Sequence, residues 1–122
     1  MNLKYSSILL LLILFLRVNV AYGKENKFLF FTDNSCPYCK WWEKDVSEVY
    51  LKTEYSEKFK LIRISFNRKF DYRSLGLKAP VLGVPTFVLV YKGNEIGRLL
   101  GYNGPEMFWW QFEDIIESLN RD

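Results

Sequence analysis

The stretch that decides the fold is residues 27–42, KFLFFTDNSCPYCKWW, because it passes from a strand to a helix within a few residues. Residues 27–32 form a short apolar run without alternation, which is typical of a strand buried on both faces of a sheet. Residues 33–35 (DNS) form a turn cluster whose side chains are good helix N-caps. Pro37 suits the first turn of a helix, where its missing N–H costs nothing.

The helix is predicted to run from Cys36 to about Tyr50. Its apolar side chains fall on one stripe at helical spacing, and its charged residues fall on the opposite face. The members of the stripe are Cys39, Trp42, Val46 and Val49. One face of this helix is therefore expected to pack against the sheet.

The rest of the chain predicts three more strands and a second long helix. The strands are expected at 60–66, 84–91 and 95–100, a helical turn near 72–75, and the last helix from Pro105 onward. The order is β-α-β followed by β-β-α, which includes one parallel βαβ unit. The fold class is therefore α/β, a four-stranded mixed sheet with helices on both faces.

The chain has 122 residues, two cysteines and no histidine. This length suits a single domain. The absence of histidine excludes a Ser-His-Asp triad, a Cys-His dyad and imidazole metal ligands. Two cysteines alone do not make a structural zinc site, which takes four ligands, so no metal is expected.

Residues 1–23 read as a signal peptide that is cleaved after Gly23. Lys4 provides a positive charge, and residues 8–16 are an unbroken apolar run. A membrane-spanning helix needs about 20 apolar residues, whereas a signal peptide needs roughly 7 to 15. A retained membrane anchor is the alternative.

The domain proper is then expected to cover residues 24–122 and to be exported. Its charge is nearly balanced once Lys4 and Arg17 are removed, so the formal charge of +3 does not indicate a nucleic-acid partner. The signal segment is the only predicted membrane contact, and we expect a monomer.

Cys36 and Cys39, at the start of the predicted helix, are the sharpest chemical feature. Cysteines at i and i+3 are close enough to form a disulfide and to reopen it. Unpaired N–H groups and the helix dipole stabilise a thiolate at a helix N-terminus, and Lys40 adds a positive charge nearby. Cys36, at the exposed end, is predicted to be the nucleophile and Cys39 to resolve the mixed disulfide. A structural disulfide and half a metal site are the alternatives.

The chain resembles the thioredoxin superfamily across nearly the whole of residues 24–122. Besides the cysteine motif, residues 84–86 (VPT) resemble the family's cis-proline strand start, and residues 87–101 resemble the hairpin that follows and its closing glycine. The resemblance implies a minimal thioredoxin-like fold in which cis Pro85 faces the cysteines. It also implies that the backbone of Val84 pairs with the substrate, and that the redox-active disulfide serves in place of a cofactor.

More narrowly, the chain resembles periplasmic thioredoxins encoded with bacterial sulfur-oxidation (Sox) systems. Residues 36–42, 85–90, 95–102 and 108–109 carry this resemblance. It implies a periplasmic protein-disulfide reductase whose partners are exported proteins with cysteines. A membrane electron donor upstream is implied as well.

Further residues beside the motif are assigned supporting or binding roles. Pro37 and Tyr38 lie between the cysteines, and Tyr38 is a plausible contact for a substrate. Thr86 and Trp41 are expected to line a substrate groove, although a tryptophan at such a place more often packs at a helix edge.

Two departures from thioredoxin leave other functions open. The tetrapeptide Cys-Pro-Tyr-Cys is that of glutaredoxins, and Phe30 stands where thioredoxins carry a buried acid, six positions before the first cysteine. The alternatives are glutaredoxin-like glutathione-linked or Fe–S chemistry, an oxidising or isomerising thiol exchange, and a non-enzymatic binding module with the same fold.

Overall fold

The computed structural model describes residues 4–5 and 25–121. The predicted signal peptide, residues 1–23, lies outside the described residues except for Lys4 and Tyr5, so it stays a prediction. Among the described residues, no helix combines the length and the apolar character needed to cross a membrane.

A four-stranded mixed sheet organises the domain. The strand order is β2-β1-β3-β4, with β1 parallel to β2 and antiparallel to β3, and with β3 antiparallel to β4. In chain order the elements are β1 (Lys27–Thr32), α1 (Pro37–Trp42), a π-helical turn (Glu43–Ser47), α2 (Glu48–Leu51), α3 (Glu54–Lys58), β2 (Lys60–Ser65), a 3₁₀ turn (Tyr72–Leu75), β3 (Thr86–Tyr91), β4 (Asn94–Leu100) and α4 (Pro105–Arg121). The predicted order of elements along the chain, β-α-β and then β-β-α, is confirmed.

Successive side chains of β1 point to opposite faces of the sheet, as a strand requires. Phe28 and Phe30 face the helices, while Leu29 and Phe31 face the other way. The first of these two faces is covered by α1 to α4. We use the name aromatic face for this side of the sheet together with the helix side chains packed on it, which include Phe28, Phe30, Trp42, Phe87, Phe108 and Phe112.

Helical elements lie on both faces of the sheet, but very unequally. The second face, defined by Leu29, Phe31, Val88 and Val90, is covered by the 3₁₀ turn and by irregular chain between β2 and β3. Gly76 ends that 3₁₀ turn in the left-handed conformation, with φ of 75°. The segment is therefore fixed by loop contacts rather than by a helix.

The helix that follows the cysteines extends to Leu51, close to the prediction, but it contains an unpredicted π-helical turn. A π turn inserts one extra residue and rotates the following side chains around the helix. The expected burial of Val49 is therefore wrong: Val49 is 50% exposed, and Tyr50 is fully buried in its place. The Tyr50 hydroxyl donates a hydrogen bond to the carbonyl of Phe59, and burial raises its pKa.

The last helix packs against β4 at a glycine. A Cβ at Gly97 would lie 2.8 Å from Cγ1 of Ile115, so the absence of a side chain allows the close approach of α4. Phe108 and Phe112 are buried, whereas Trp110 on the opposite side of the helix is exposed.

Candidate active site

Cys36 and Cys39 form a disulfide at the start of α1, with their Cα atoms 5.3 Å apart. Cys36 is itself the N-cap of α1, and its Sγ accepts a hydrogen bond from the backbone N–H of Cys39 at 3.1 Å. The first sulfur thus lies where the helix offers unpaired N–H groups. Cys36 is 7% exposed and Cys39 is 1% exposed, so Cys36 is the more accessible of the two.

The turn before the disulfide is closed by Asp33. Its carboxylate accepts hydrogen bonds from both the backbone N–H and the hydroxyl of Ser35, each at 2.8 Å, and these bonds lower its pKa. The carbonyl of Asp33 also accepts from the N–H of Cys36 at 3.1 Å. The expectation that residues 33–35 supply the N-cap is therefore wrong, because Asp33 shapes the turn and the cap is the cysteine.

Three aromatic rings pack against one another in the cluster that contains both cysteines. The ring of Phe30 lies 4.5 Å from Trp42 and 4.9 Å from Phe87, and Trp42 lies 5.1 Å from Phe87, all between centroids. Phe30 is fully buried, so the position that holds an acid in thioredoxins contributes only apolar surface here. The indole N–H of Trp42 is buried and has no hydrogen-bond partner within the described part of the chain.

The Val84–Pro85 peptide bond is cis, as the resemblance implies. The next residue, Thr86, pairs with Phe31 near the end of β1, five positions before Cys36. Val84 is half-buried and packs against the cluster that contains both cysteines. The structure therefore brings Val84 and Pro85 to the same edge of the sheet as the disulfide.

Of the predicted groove residues near this bond, Thr86 does not face solvent. It is buried, and its hydroxyl donates to the carbonyl of Gly83 at 2.7 Å. The carbonyl of Pro85 accepts from the N–H of Gly101 at 2.9 Å. Thr86 and Gly101 thus hold the shape of this loop. Of the two predicted contact residues beside Pro85, Val84 is partly exposed and Thr86 is buried.

An exposed aromatic pair lies within and just after the cysteine motif. The rings of Tyr38 and Trp41 meet edge to face at 4.9 Å, and both side chains are about half exposed. Pro37 begins α1, and Lys40 is exposed on the first turn. Trp41 therefore lies free beside the motif, where a partner could contact it.

A groove of about 460 Å³ lies beside the cis bond and was not foreseen from the sequence. Its walls include Leu82, Arg98 and Leu100, besides Val84 and Pro85. Leu82 is 85% exposed and Leu100 is 70% exposed, so the groove presents two neighbouring apolar side chains to solvent. The sequence carries no clear signal of this groove, because the loop 76–85 contains several aliphatic residues and only the fold shows that Leu82 is exposed while Leu77 is buried.

No metal site accompanies this arrangement within residues 4–5 and 25–121, where no three His, Cys, Asp or Glu side chains cluster.

Comparisons with known proteins agree with this geometry. The family described as the thioredoxin-like domain matches residues 16–116. The periplasmic thioredoxin SoxS from Paracoccus pantotrophus is 31% identical, with a TM-score of 0.68 over 76% of this chain and 97% of its own. Thioredoxin from Trypanosoma brucei brucei is 22% identical, with a TM-score of 0.56 over 85% of this chain and 86% of its own. No curated protein matched the sequence.

Proposed function

The chain belongs to the thioredoxin-like family and is a thiol–disulfide oxidoreductase, and from this premise we propose that it works in the periplasm as a reductase of partner-protein disulfides. The observation that carries the direction of attack is the place of the Cys36 sulfur at the N-cap of α1. There the N–H of Cys39 and the helix dipole favour a thiolate. Cys39 lies one turn inside and is more deeply buried.

The proposed reaction has two exchange steps. The thiolate of reduced Cys36 attacks one sulfur of the partner disulfide, forms a mixed disulfide and releases one partner thiolate. The thiolate of Cys39 then attacks the Cys36 sulfur, closes the Cys36–Cys39 disulfide and releases the second partner thiol. Two electrons pass to the partner, and a dithiol donor, which we place in the membrane, must return the chain to its reduced form.

Substrate contact is proposed at the edge that the cis bond and the cysteines share. The backbone of Val84 pairs with the partner chain beside Cys36, with Pro85 and Thr86 fixing that backbone. Tyr38 and Trp41 supply exposed aromatic surface, which is favoured at protein interfaces. Pro37 and Lys40 support Cys36 from the first turn.

The partners are proposed to be exported proteins with reactive cysteines, including proteins of sulfur oxidation. Support for the compartment comes from the similarity to SoxS, which is a periplasmic thioredoxin. The domain limits are part of the same proposal: cleavage after Gly23 leaves residues 24–122. Sequencing the N-terminus of the exported protein tests this limit.

Trapping tests the proposed chemistry. The Cys39→Ala protein should accumulate a mixed disulfide with its partner, because the resolving thiol is missing. The matched Cys36→Ala protein should accumulate none. In the reduced wild-type protein, iodoacetamide should modify Cys36 faster than Cys39, and faster than the same cysteine in denaturant. A Cys36→Ala protein that reduces insulin as well as the wild type would refute the proposal.

The reduction potential decides between a reductase and an oxidant. Reductases of this fold have potentials of about −270 mV, and strong oxidants have potentials of about −120 mV. A measured reduction potential close to that of the strong oxidants would show that the protein is an oxidase and not a reductase.

A further inference from the structure

Glu95 and Arg98 form a partly buried ion pair on β4, next to the loop 76–85. Arg98 donates from Nε to Glu95 Oε2 at 2.8 Å and from Nη2 to Oε1 at 2.6 Å. The side chain of Glu95 is 7% exposed, and that of Arg98 is 18% exposed. The carboxylate is therefore buried, and the guanidinium is partly shielded from water.

The pair is bonded to the loop as well as to itself. Arg98 donates from Nη2 to the carbonyl of Ala79 at 3.0 Å and from Nη1 to that of Pro80 at 3.1 Å. Glu95 Oε1 accepts from the N–H of Lys78 at 3.0 Å, and its own N–H donates to the carbonyl of Gly76 at 3.0 Å. Four hydrogen bonds, to residues 76, 78, 79 and 80, thus fix this end of the loop to β4.

The other end of the loop is fixed to the same strand pair. The N–H of Gly101, directly after β4, donates to the carbonyl of Pro85, and Thr86 pairs with Leu100. Between these two anchors lie Val81, Leu82, Gly83 and Val84. The ion pair therefore sets one end of the short span that carries the cis bond.

Stability alone is a weak explanation for such a pair. Burying two charges costs desolvation energy, and a well-packed apolar pair is often as stable. What the guanidinium provides is geometry, since its planar fork reaches the carboxylate and two loop carbonyls at once. The loop contains no helix or strand that could hold this position instead.

We propose that Glu95 and Arg98 are positioning residues, which hold the loop 76–85 so that Val84 and Pro85 present a fixed backbone edge to a protein substrate beside Cys36. This inference rests on the proposed function for its consequence in catalysis. Its structural part, the positioning of the loop, can be tested without any substrate.

The test compares Arg98→Lys with Arg63→Lys. Lysine keeps the charge at position 98 but lacks the fork. Arg63 is a matched control, because it also forms a two-bond ion pair, with Glu43, but that pair is exposed and forms no side-chain hydrogen bond with the loop. Glu95→Gln serves as a second variant, because it removes the negative charge while keeping the shape of the side chain.

For Arg98→Lys and Glu95→Gln, we expect KM for insulin to rise about tenfold with kcat nearly unchanged. The rate with a small aromatic disulfide should stay at the wild-type value, because that substrate needs no backbone pairing. Arg63→Lys should change neither quantity. An unchanged KM for insulin, or an equal loss toward both substrates, would overturn the proposal.

Hydrogen exchange separates failure of this inference from failure of the proposed function. The amides of Leu77, Lys78 and Glu95, which are hydrogen-bonded at this end of the loop, should exchange about tenfold faster in Arg98→Lys than in Arg63→Lys, while those of β1 stay protected. If the wild type fails to reduce insulin, the proposed function is wrong, and the exchange result still decides the positioning. Equal exchange in the two variants would refute it.

Discussion

Tyr102 donates a hydrogen bond from its phenol to Oδ2 of Asp45 at 2.8 Å, across 57 positions of sequence. Tyr102 lies in the turn after β4, directly after Gly101, and Asp45 lies in the π turn of the cysteine-bearing helix. Burial first, and the neighbouring carboxylate second, raise the pKa of this phenol. The bond connects the helix of the disulfide to the chain that holds Pro85.

Replacing Tyr102 by phenylalanine should lower the free energy of unfolding by about 1 kcal/mol, since the ring stays buried and one hydrogen bond is lost. Urea denaturation measures this loss. In an Asp45→Ala background, which has no acceptor, the same substitution should cost less, because the two side chains act as a pair. Equal costs in both backgrounds would show that the bond contributes nothing.

The π turn predicts opposite outcomes for two valines on one helix. Val46→Ala should destabilise the protein by about 1 to 2 kcal/mol, because Val46 is fully buried on the aromatic face. Val49→Ala should change stability by less than about 0.5 kcal/mol, because Val49 is exposed. Thermal or urea unfolding of both variants measures the difference. A regular α-helix, with Val49 inside, would make the two losses similar.

Gly97→Ala should cost about 1 to 3 kcal/mol, because the new Cβ collides with Ile115 on α4. The added methyl group would meet Cγ1, Cδ1 and Cγ2 of that isoleucine within 3 Å. In an Ile115→Ala background the clash disappears, so the same change should cost clearly less. Denaturant unfolding of the four proteins checks the coupling, and purely additive losses would contradict the clash.

Glu95 should make stability depend on pH in the acid range. Burial alone would raise its pKa, but hydrogen bonds from Arg98 and from the backbone of Lys78, with the charges of both residues, hold it below its usual value. A carboxyl whose pKa is lowered in the folded state stabilises the protein at every pH above the pKa that it has in the unfolded state, about 4.3. This stabilisation is lost as the pH falls from there through the pKa of the folded state.

The measurement is the free energy of unfolding of the wild type and of Glu95→Gln between pH 7 and pH 3. The substitution removes only the Glu95 carboxyl, so the difference between the two proteins reports that group. We expect the advantage of the wild type to be constant near neutrality and to shrink below about pH 4.3. A difference that is independent of pH would show that Glu95 has no shifted pKa.

Local patterns made most of the fold and the cysteine pair predictable. The apolar runs at β1 and β3, the turn signals at Lys92 and Gly93, and the spacing of Phe108 and Phe112 each specify an element without help from the rest of the chain. The disulfide likewise follows from the three-residue separation of its cysteines.

The features that escaped prediction depend on tertiary contacts. The π turn rotates the helix so that Tyr50 can reach the carbonyl of Phe59, and no spacing rule contains that distant partner. The short helix α3 has too few residues to show a period. Glu95 and Arg98 read as ordinary surface charges, because only the fold shows that a loop covers them.

The packing of Trp42 in the same cluster as the two cysteines affects the fluorescence of the protein. Trp42 is the fully buried tryptophan, one turn after Cys39, while Trp41 and Trp110 are exposed. A disulfide quenches the emission of a neighbouring indole, and an apolar setting moves that emission to the blue. Reduction of the cysteine pair should therefore increase the intrinsic tryptophan fluorescence at the blue edge of the emission spectrum. The redox state of the protein can then be followed by its own fluorescence.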